Sequence, residues 1–190
     1  MANALEEAVE AAYRVVAGGG VILYPTDTIW GLGCDGRNRE AVRRIFRIKQ
    51  RPEAKSLILL VDGLAMLEQY TQPMTPAVAE QLQRAKVPTT VIYPVAHGLA
   101  PEAVAAEGSV AIRIVHQPFC QALLTRMGGP LVSTSANASG TPYQAPPLIP
   151  REIVEAVDYA VPWALDTAPR GKASRIIRID ARGAIQVLRE

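Results

Sequence analysis

Residues 21–35, VILYPTDTIWGLGCD, decide how this chain is read. Val21, Ile22, Leu23 and Tyr24 form a β-branched and aromatic run closed by Pro25, which predicts a buried strand with an abrupt end. Thr26, Asp27 and Thr28 then place three small polar side chains where the strand passes into a loop, ahead of Trp30 and a flexible glycine pair, Gly31 and Gly33. Strand ends of this kind are where α/β proteins gather their sites. Taken alone, the same residues also describe an ordinary strand followed by a Thr-rich turn.

Working outward, Asn3 and Glu6 have the form of an N-cap and its reciprocal partner, opening a helix that runs to Ala17 and stops at Gly18-Gly19-Gly20. On the other side, Asn38 can cap a second helix with apolar positions at Val42, Ile45 and Phe46. One further step of that stripe lands on Lys49, so Lys49 faces the sheet and needs a partner there, while Arg43, Arg44 and Arg47 fall mostly on the hydrated face. Pro52 disfavours helix at Arg51 and leaves Arg51 and Lys55 on a loop.

Strands are expected over residues 57–61, 89–95, 109–115 and 159–164, and helices over 63–70, 75–84, 117–127 and 151–156. Pro130-Leu131-Val132 leads into Ser133-Thr134-Ser135-Ala136-Asn137-Ala138-Ser139-Gly140, and the proline-rich residues 141–150 read as an extended surface segment or lid. Residues 175–179 and 185–188 close the chain as a hairpin. This alternation predicts one α/β domain over residues 1–190, with a twisted sheet that mixes parallel and antiparallel strands.

Composition narrows the function. Hydrophobic residues make up 49 % and charged ones 20 %, a globular balance, and no apolar run is long enough for a bilayer. The first residues do not resemble a secretion signal, so the expectation is a cytoplasmic protein with no membrane association. Cys34 and Cys120 lack metal-ligand spacing and read as two unbridged thiols, and His97 and His116 stand too far from other ligands to suggest zinc. A net charge of +2 does not demand a nucleic-acid partner. Between Arg37 and Lys55, however, eight bases face two acids, which suits either a phosphate-binding surface or a solvated helix face.

No GxxxxGK[ST] loop is present, and the glycine run at residues 18–20 precedes a strand instead of following one. Ser133 and Ser135 lack a GxSxG setting, so a hydrolase is set aside. What remains is a set of hydroxyls, one amide and several cations: Thr26, Thr28, Ser133, Ser135 and Ser174; Asn137; Lys49, Arg51, Lys55 and Arg113. Such groups hold anions and orient substrates, and attack at an α-phosphate requires little beyond them and a magnesium ion.

The blocks YPTDTIWGLGCD, KQRPEAKSLILL, SVAIRI, PLVSTSANASG and LRE, in this order over nearly the whole chain, resemble the YrdC/Sua5/TsaC family of threonylcarbamoyl-AMP synthases, in its single-domain form. The resemblance implies a YrdC-like sheet flanked by helices with a concave basic cleft. It also implies a nucleotidyltransferase that converts L-threonine, bicarbonate and ATP, with Mg2+, into threonylcarbamoyl-AMP and pyrophosphate for the t6A modification of tRNA, in company with other proteins of that pathway.

Carried over by motif, Thr26, Arg113, Ser133 and Ser174 would bind threonine, with Arg113 on its carboxylate. Lys49, Arg51, Ser109, Ser135, Asn137 and Arg189 would bind ATP, with Thr28, Lys55 and Tyr143 as further candidates. No residue is assigned as nucleophile or general base. Loss of Lys49 would then remove nucleotide binding and leave the fold standing. The family's usual WPGP, HP and EST patterns are replaced by Lys86-Val87-Pro88, Gln117-Pro118 and Ala173-Ser174-Arg175. The alternatives are a module for double-stranded RNA or tRNA, and a scaffold that keeps the fold without the reaction.

Overall fold

The computed structural model describes residues 2–50, 57–72, 76–83, 85, 87–166, 172–180 and 182–190. Among these, nine strands lie in one sheet: β1 (Ile22–Tyr24), β2 (Gly31–Gly33), β3 (Ile58–Val61), β4 (Thr89–Tyr93), β5 (Val110–Ile114), β6 (Leu131–Ser135), β7 (Tyr159–Ala160), β8 (Arg175–Ile179) and β9 (Ile185–Arg189). Their order is β7-β1-β2-β6-β3-β5-β4-β8-β9. The pairs β1/β7, β3/β5 and β4/β8 are parallel, and the other pairs are antiparallel. The sheet is mixed, as the sequence predicts, and its parallel pairs join strands that are distant in sequence, as crossovers require.

The helices are α1 (Ala2–Ala17), α2 (Arg39–Ile48), α3 (Leu64–Leu67), α4 (Pro76–Gln83), α5 (Pro118–Met127) and α6 (Arg151–Ala156). In α1, Ala8, Ala12 and Val16 recur at helical spacing and are buried, and α1 packs on α5 and against β1 and β7. Ala2 is already helical, so Asn3 lies inside the first turn and not at its cap. Asn38, in contrast, caps α2 as expected: its side chain accepts from Ala41 N at 3.1 Å. The helix expected at 63–70 is a single turn, and the strand expected at 159–164 ends at Ala160. Val161 N still donates to Leu23 O, but Pro162 has no N–H for the ladder, and residues 163–165 form a 3-10 turn.

Gly31 and Gly33 are not flexible. Both lie in β2, buried between β1 and β6, and a Cβ on Gly33 would sit 2.5 Å from Tyr24 Cε1 and 2.6 Å from Val132 O. The ring of Tyr24 occupies that space and its hydroxyl donates to Val132 O at 3.0 Å. These glycines therefore permit close approach of backbone and ring, which is their common use inside strands.

The local excess of base on α2 is largely answered by acids from elsewhere in the chain. Arg39 Nε and Arg43 Nη2 lie 2.6 Å and 2.9 Å from Glu102 Oε1, and Arg44 Nη1 lies 2.5 Å from Asp158 Oδ2. Arg37 pairs with Asp35 at 2.8 Å. Burial alone would raise the carboxyl pKa of Glu102, but the hydrogen bond from Arg39, the local backbone and the charges of Arg39 and Arg43 bring it below the ordinary value. Asp158 is lowered in the same way, burial being outweighed by Arg44 and by Val21 N–H. Because both folded values lie below the unfolded ones, their stabilisation is present above the unfolded carboxyl range, around pH 4, and is lost as pH falls through the folded values. Denaturant unfolding should show stability falling below about pH 4, with a shallower fall in Glu102→Gln. An identical acid limb in the variant would show that Glu102 contributes nothing to it.

Candidate active site

Period-two alternation on β5 separates two faces. Ile112 and Ile114 point under α3 and α4, where Leu64, Leu67 and Val91 line a cavity of about 480 Å3. Ala111 and Arg113 point the other way, into a cavity of about 300 Å3. Thr90 of β4, Ser133 and Ser135 of β6, Ile176 of β8 and Arg189 of β9 line this second cavity, with Thr28 from the β1–β2 loop.

Arg113 is 3 % exposed and pairs with β3 at Leu60. Its Nη2 lies 3.0 Å from Asp27 Oδ1, and its Nε has no hydrogen-bond partner. Ser133 and Ser135 sit two residues apart on β6 and therefore on one face. Ser174 is buried and its hydroxyl shares a 2.7 Å hydrogen bond with Thr90. Arg189 donates through Nε and Nη2 to Ser174 O, at 3.0 Å and 2.7 Å, so the edge strand clasps the segment leading into β8.

Of the residues singled out in the sequence, Thr28, Arg113, Ser133, Ser135, Ser174 and Arg189 line this one cavity. Thr26 lies behind its wall: its hydroxyl donates to Ile29 O at 2.7 Å, accepts from Thr28 N at 3.1 Å, and lies 2.9 Å from Thr28 Oγ1. Thr26 thus shapes the turn that presents Thr28. Ser109 also stands outside the lining, at the start of β5, with its hydroxyl donating to Glu107. Arg51, Lys55 and Lys86 lie outside the described residues.

Lys49 is the C-cap of α2 and is 2 % exposed, the inward placement its helical phase predicts. Its ammonium donates to Ser135 O at 2.5 Å and to Asn137 O at 2.7 Å, and its own carbonyl accepts from Ser139 N at 2.9 Å. Asn137 in turn donates through Nδ2 to Thr141 O at 2.5 Å. Lys49 therefore fixes the loop that follows β6, next to Ser135. Tyr143, beyond that loop, accepts a hydrogen bond from Trp30 N at 3.0 Å, and Trp30 Nε1 donates to Asp166 Oδ2 at 2.9 Å. The segment 141–150 has no regular secondary structure and is held at Tyr143 and at the buried Ile149.

Asp27 is the site residue that sequence reading passes over. A signal for it exists: an arginine inside the apolar strand VAIRI demands a counter-charge, and an acid at the end of a buried strand can supply it. Cys120 donates its thiol to Pro25 O behind the same loop. Burial, and then the charge of Asp27, raise its pKa against an opposing effect of Arg113. Both cysteines are free and buried.

Residues 14–190 match the Sua5/YciO/YrdC family, described as "Telomere recombination". The chain belongs to the Sua5/YciO/YrdC family. Among relatives, it is 40 % identical over 171 residues to the threonylcarbamoyl-AMP synthase of Marinobacter nauticus, covering 88 % of this chain and 89 % of that one. It is 41 % identical over 138 residues to the threonylcarbamoyl-AMP synthase of Xanthomonas campestris, covering 70 % and 73 %. The crystal structure of E. coli YciO superposes with a TM-score of 0.79 at 28 % identity, covering 96 % of this chain and 88 % of that one. P. abyssi Sua5 complexed with L-threonine shares the fold, with a TM-score of 0.76 at 24 % identity, and this chain, 90 % of it matched, spans 50 % of that protein.

Within the Sua5/YciO/YrdC frame, the departure at Gln117 has a local explanation. Its side chain caps α5 by accepting from Cys120 N at 2.9 Å, and its Nε2 donates to Leu165 O at 3.2 Å. Gln117 thereby ties the α5 N-terminus to the residues after β7, away from the cavity lining.

Proposed function

We propose that this protein is an L-threonylcarbamoyladenylate synthase, forming threonylcarbamoyl-AMP and pyrophosphate from L-threonine, bicarbonate and ATP for the t6A modification of tRNA. The observation that carries the reading is the convergence on one cavity of Arg113, Ser133, Ser135 and Arg189 from three strands and of Ser174 from the segment leading into β8. The names of the relatives from Marinobacter nauticus and Xanthomonas campestris support the same reading.

Arg113 offers a buried guanidinium fork for the threonine carboxylate, a planar match that a lysine would not make. Thr28, Ser133 and Ser174 surround it with hydroxyls, and Thr26 acts through the turn. Ser135, Asn137 and Lys49 form the nucleotide end, with Arg189 across the cavity and Ser109 outside its lining; Arg51, assigned to ATP by motif, lies outside the described residues. Threonine's amine and bicarbonate condense to a carbamate with loss of water; a carbamate oxygen then attacks the α-phosphorus and pyrophosphate leaves. The chain's contribution is positioning and charge stabilisation, without a covalent enzyme intermediate.

Mg2+ would arrive on the ATP phosphates, the usual way it is held in phosphoryl-transfer sites. No described helix is long and apolar enough to cross a membrane, and the reading places the protein in the cytoplasm. Purified protein given ATP, threonine, bicarbonate and magnesium should release pyrophosphate in a threonine-dependent manner and yield the adenylate by mass spectrometry. Folded protein that yields neither would exclude the reading. The RNA-module alternative gains little from α2, whose Arg39, Arg43 and Arg44 are paired with Glu102 and Asp158. It would be favoured only by tight RNA binding with a steep salt dependence and no nucleotide binding.

A further inference from the structure

Arg113 is a cation in the middle of a buried strand, and such a group is tenable only with a counter-charge in reach. That charge is Asp27. Its Oδ1 lies 3.0 Å from Nη2, the side chains of Arg113 and Asp27 are 4 % and 13 % exposed, and neither carboxylate oxygen has a hydrogen-bond partner among the described residues. The pair is not a fork-to-fork match. It engages one guanidinium nitrogen and leaves Nε without a partner.

The two residues also face different cavities. Asp27 lines the cavity beneath α3 and α4, whereas Arg113 lines the site cavity on the other face of the sheet. Asp27 therefore reaches the guanidinium from behind. Its own position is set by the Thr26 turn, in which the Thr26 hydroxyl reaches across Asp27 to accept from Thr28 N and donate to Ile29 O.

We propose that Asp27 is a positioning residue: held by the Thr26 turn, it fixes the Arg113 guanidinium through Nη2 and leaves Nε for the carboxylate of an α-amino acid substrate. The proposal rests on the reading of Arg113 as the threonine carboxylate ligand. With Asp27 neutralised, the guanidinium loses its fixed orientation, and the substrate carboxylate has to order it on binding. The nucleotide end is held by its own hydrogen bonds, from the Lys49 ammonium to Ser135 O and Asn137 O, and keeps its geometry.

The test compares wild type with Asp27→Asn and Asp27→Glu in the threonine-, bicarbonate- and ATP-dependent assay. Asp27→Asn should raise the KM for threonine by about ten-fold or more, with the KM for ATP changed less than about two-fold, and Asp27→Glu should recover part of the loss. An unchanged threonine KM in an active variant would overturn the proposal. So would equal rises in both KM values with a lowered melting temperature, the pattern of a purely structural residue.

Should the variants not fold, 15N spectra of arginine-labelled wild type, assigned from Arg113→Lys, test the pair directly. An Arg113 guanidinium with hindered rotation before threonine is added is expected, and a freely rotating one would overturn the proposal. Wild type that makes no product would remove the proposed function and not the pairing, since the spectrum reads the pair without turnover.

Discussion

Lys49→Ala should lose ATP binding by at least about a hundred-fold and also lower the stability of the fold, by about 2–4 kcal/mol, because one buried and one half-buried carbonyl lose a charged donor together. The motif by itself suggests a phosphate ligand whose removal leaves the fold intact. The geometry alters that expectation: the ammonium caps Ser135 O and Asn137 O from a residue that is 2 % exposed, and the backbone of the same residue anchors Ser139. Lys49→Met separates the effects, since it keeps the apolar stem and removes the charge. Denaturant titration and calorimetric binding of ATP measure both. Unchanged stability in Lys49→Ala would show that the loop after β6 closes without it, and an ATP affinity within about three-fold of wild type would remove Lys49 from the nucleotide end.

Gly33→Ala should be the most damaging single methyl group in the sheet. The new Cβ would meet Tyr24 Cε1 at 2.5 Å and Val132 O at 2.6 Å, and neither neighbour has free space to yield into. Tyr24 is fully buried and tied to Val132 O, and the carbonyl belongs to the adjacent strand. Overpacking of this kind costs about 1–3 kcal/mol, and a clash with backbone puts Gly33→Ala at the upper end. Thermal unfolding followed by circular dichroism would register it, and a melting temperature within about two degrees of wild type would mean that Tyr24 can move aside.

Much of this architecture was legible because the local signals agreed. Asn38, the stripe Val42, Ile45 and Phe46, and the phase that carries Lys49 inward all describe one helix packed on one sheet, and the structure has that helix. Boundaries failed where a local pattern met a backbone constraint. Residues 159–164 look like strand, yet Pro162 removes a ladder donor and the chain turns. Gly31 and Gly33 look flexible, but the space their missing side chains leave is taken by Thr134 O at Gly31 and by the Tyr24 ring and Val132 O at Gly33, and β6, which supplies both carbonyls, is distant in sequence. The base-rich stretch from Arg37 to Lys55 suited either phosphates or a solvated helix face, and the acidic partners of Arg39, Arg43 and Arg44, Glu102 and Asp158, were invisible from within the stretch.

For the site, the residue types were legible and the pairings were not. Arg113, Ser133 and Ser135 emerge from the motifs and meet at the cavity. Which of Thr26 and Thr28 faces that cavity depends on a turn closed by the Thr26 hydroxyl, and Asp27 acquires meaning only when the strand carrying Arg113 is laid beside it.

The cavity draws its walls from Thr28 near one end of the chain to Arg189 near the other, with Arg189 on a strand that, among the described residues, pairs with β8 at the edge of the sheet. No contiguous fragment carries the site, so it comes into being only when the last edge of the sheet has docked. Whatever occupies the cavity therefore recognises the finished molecule over every partly folded form, and in doing so draws the folding equilibrium toward it by mass action.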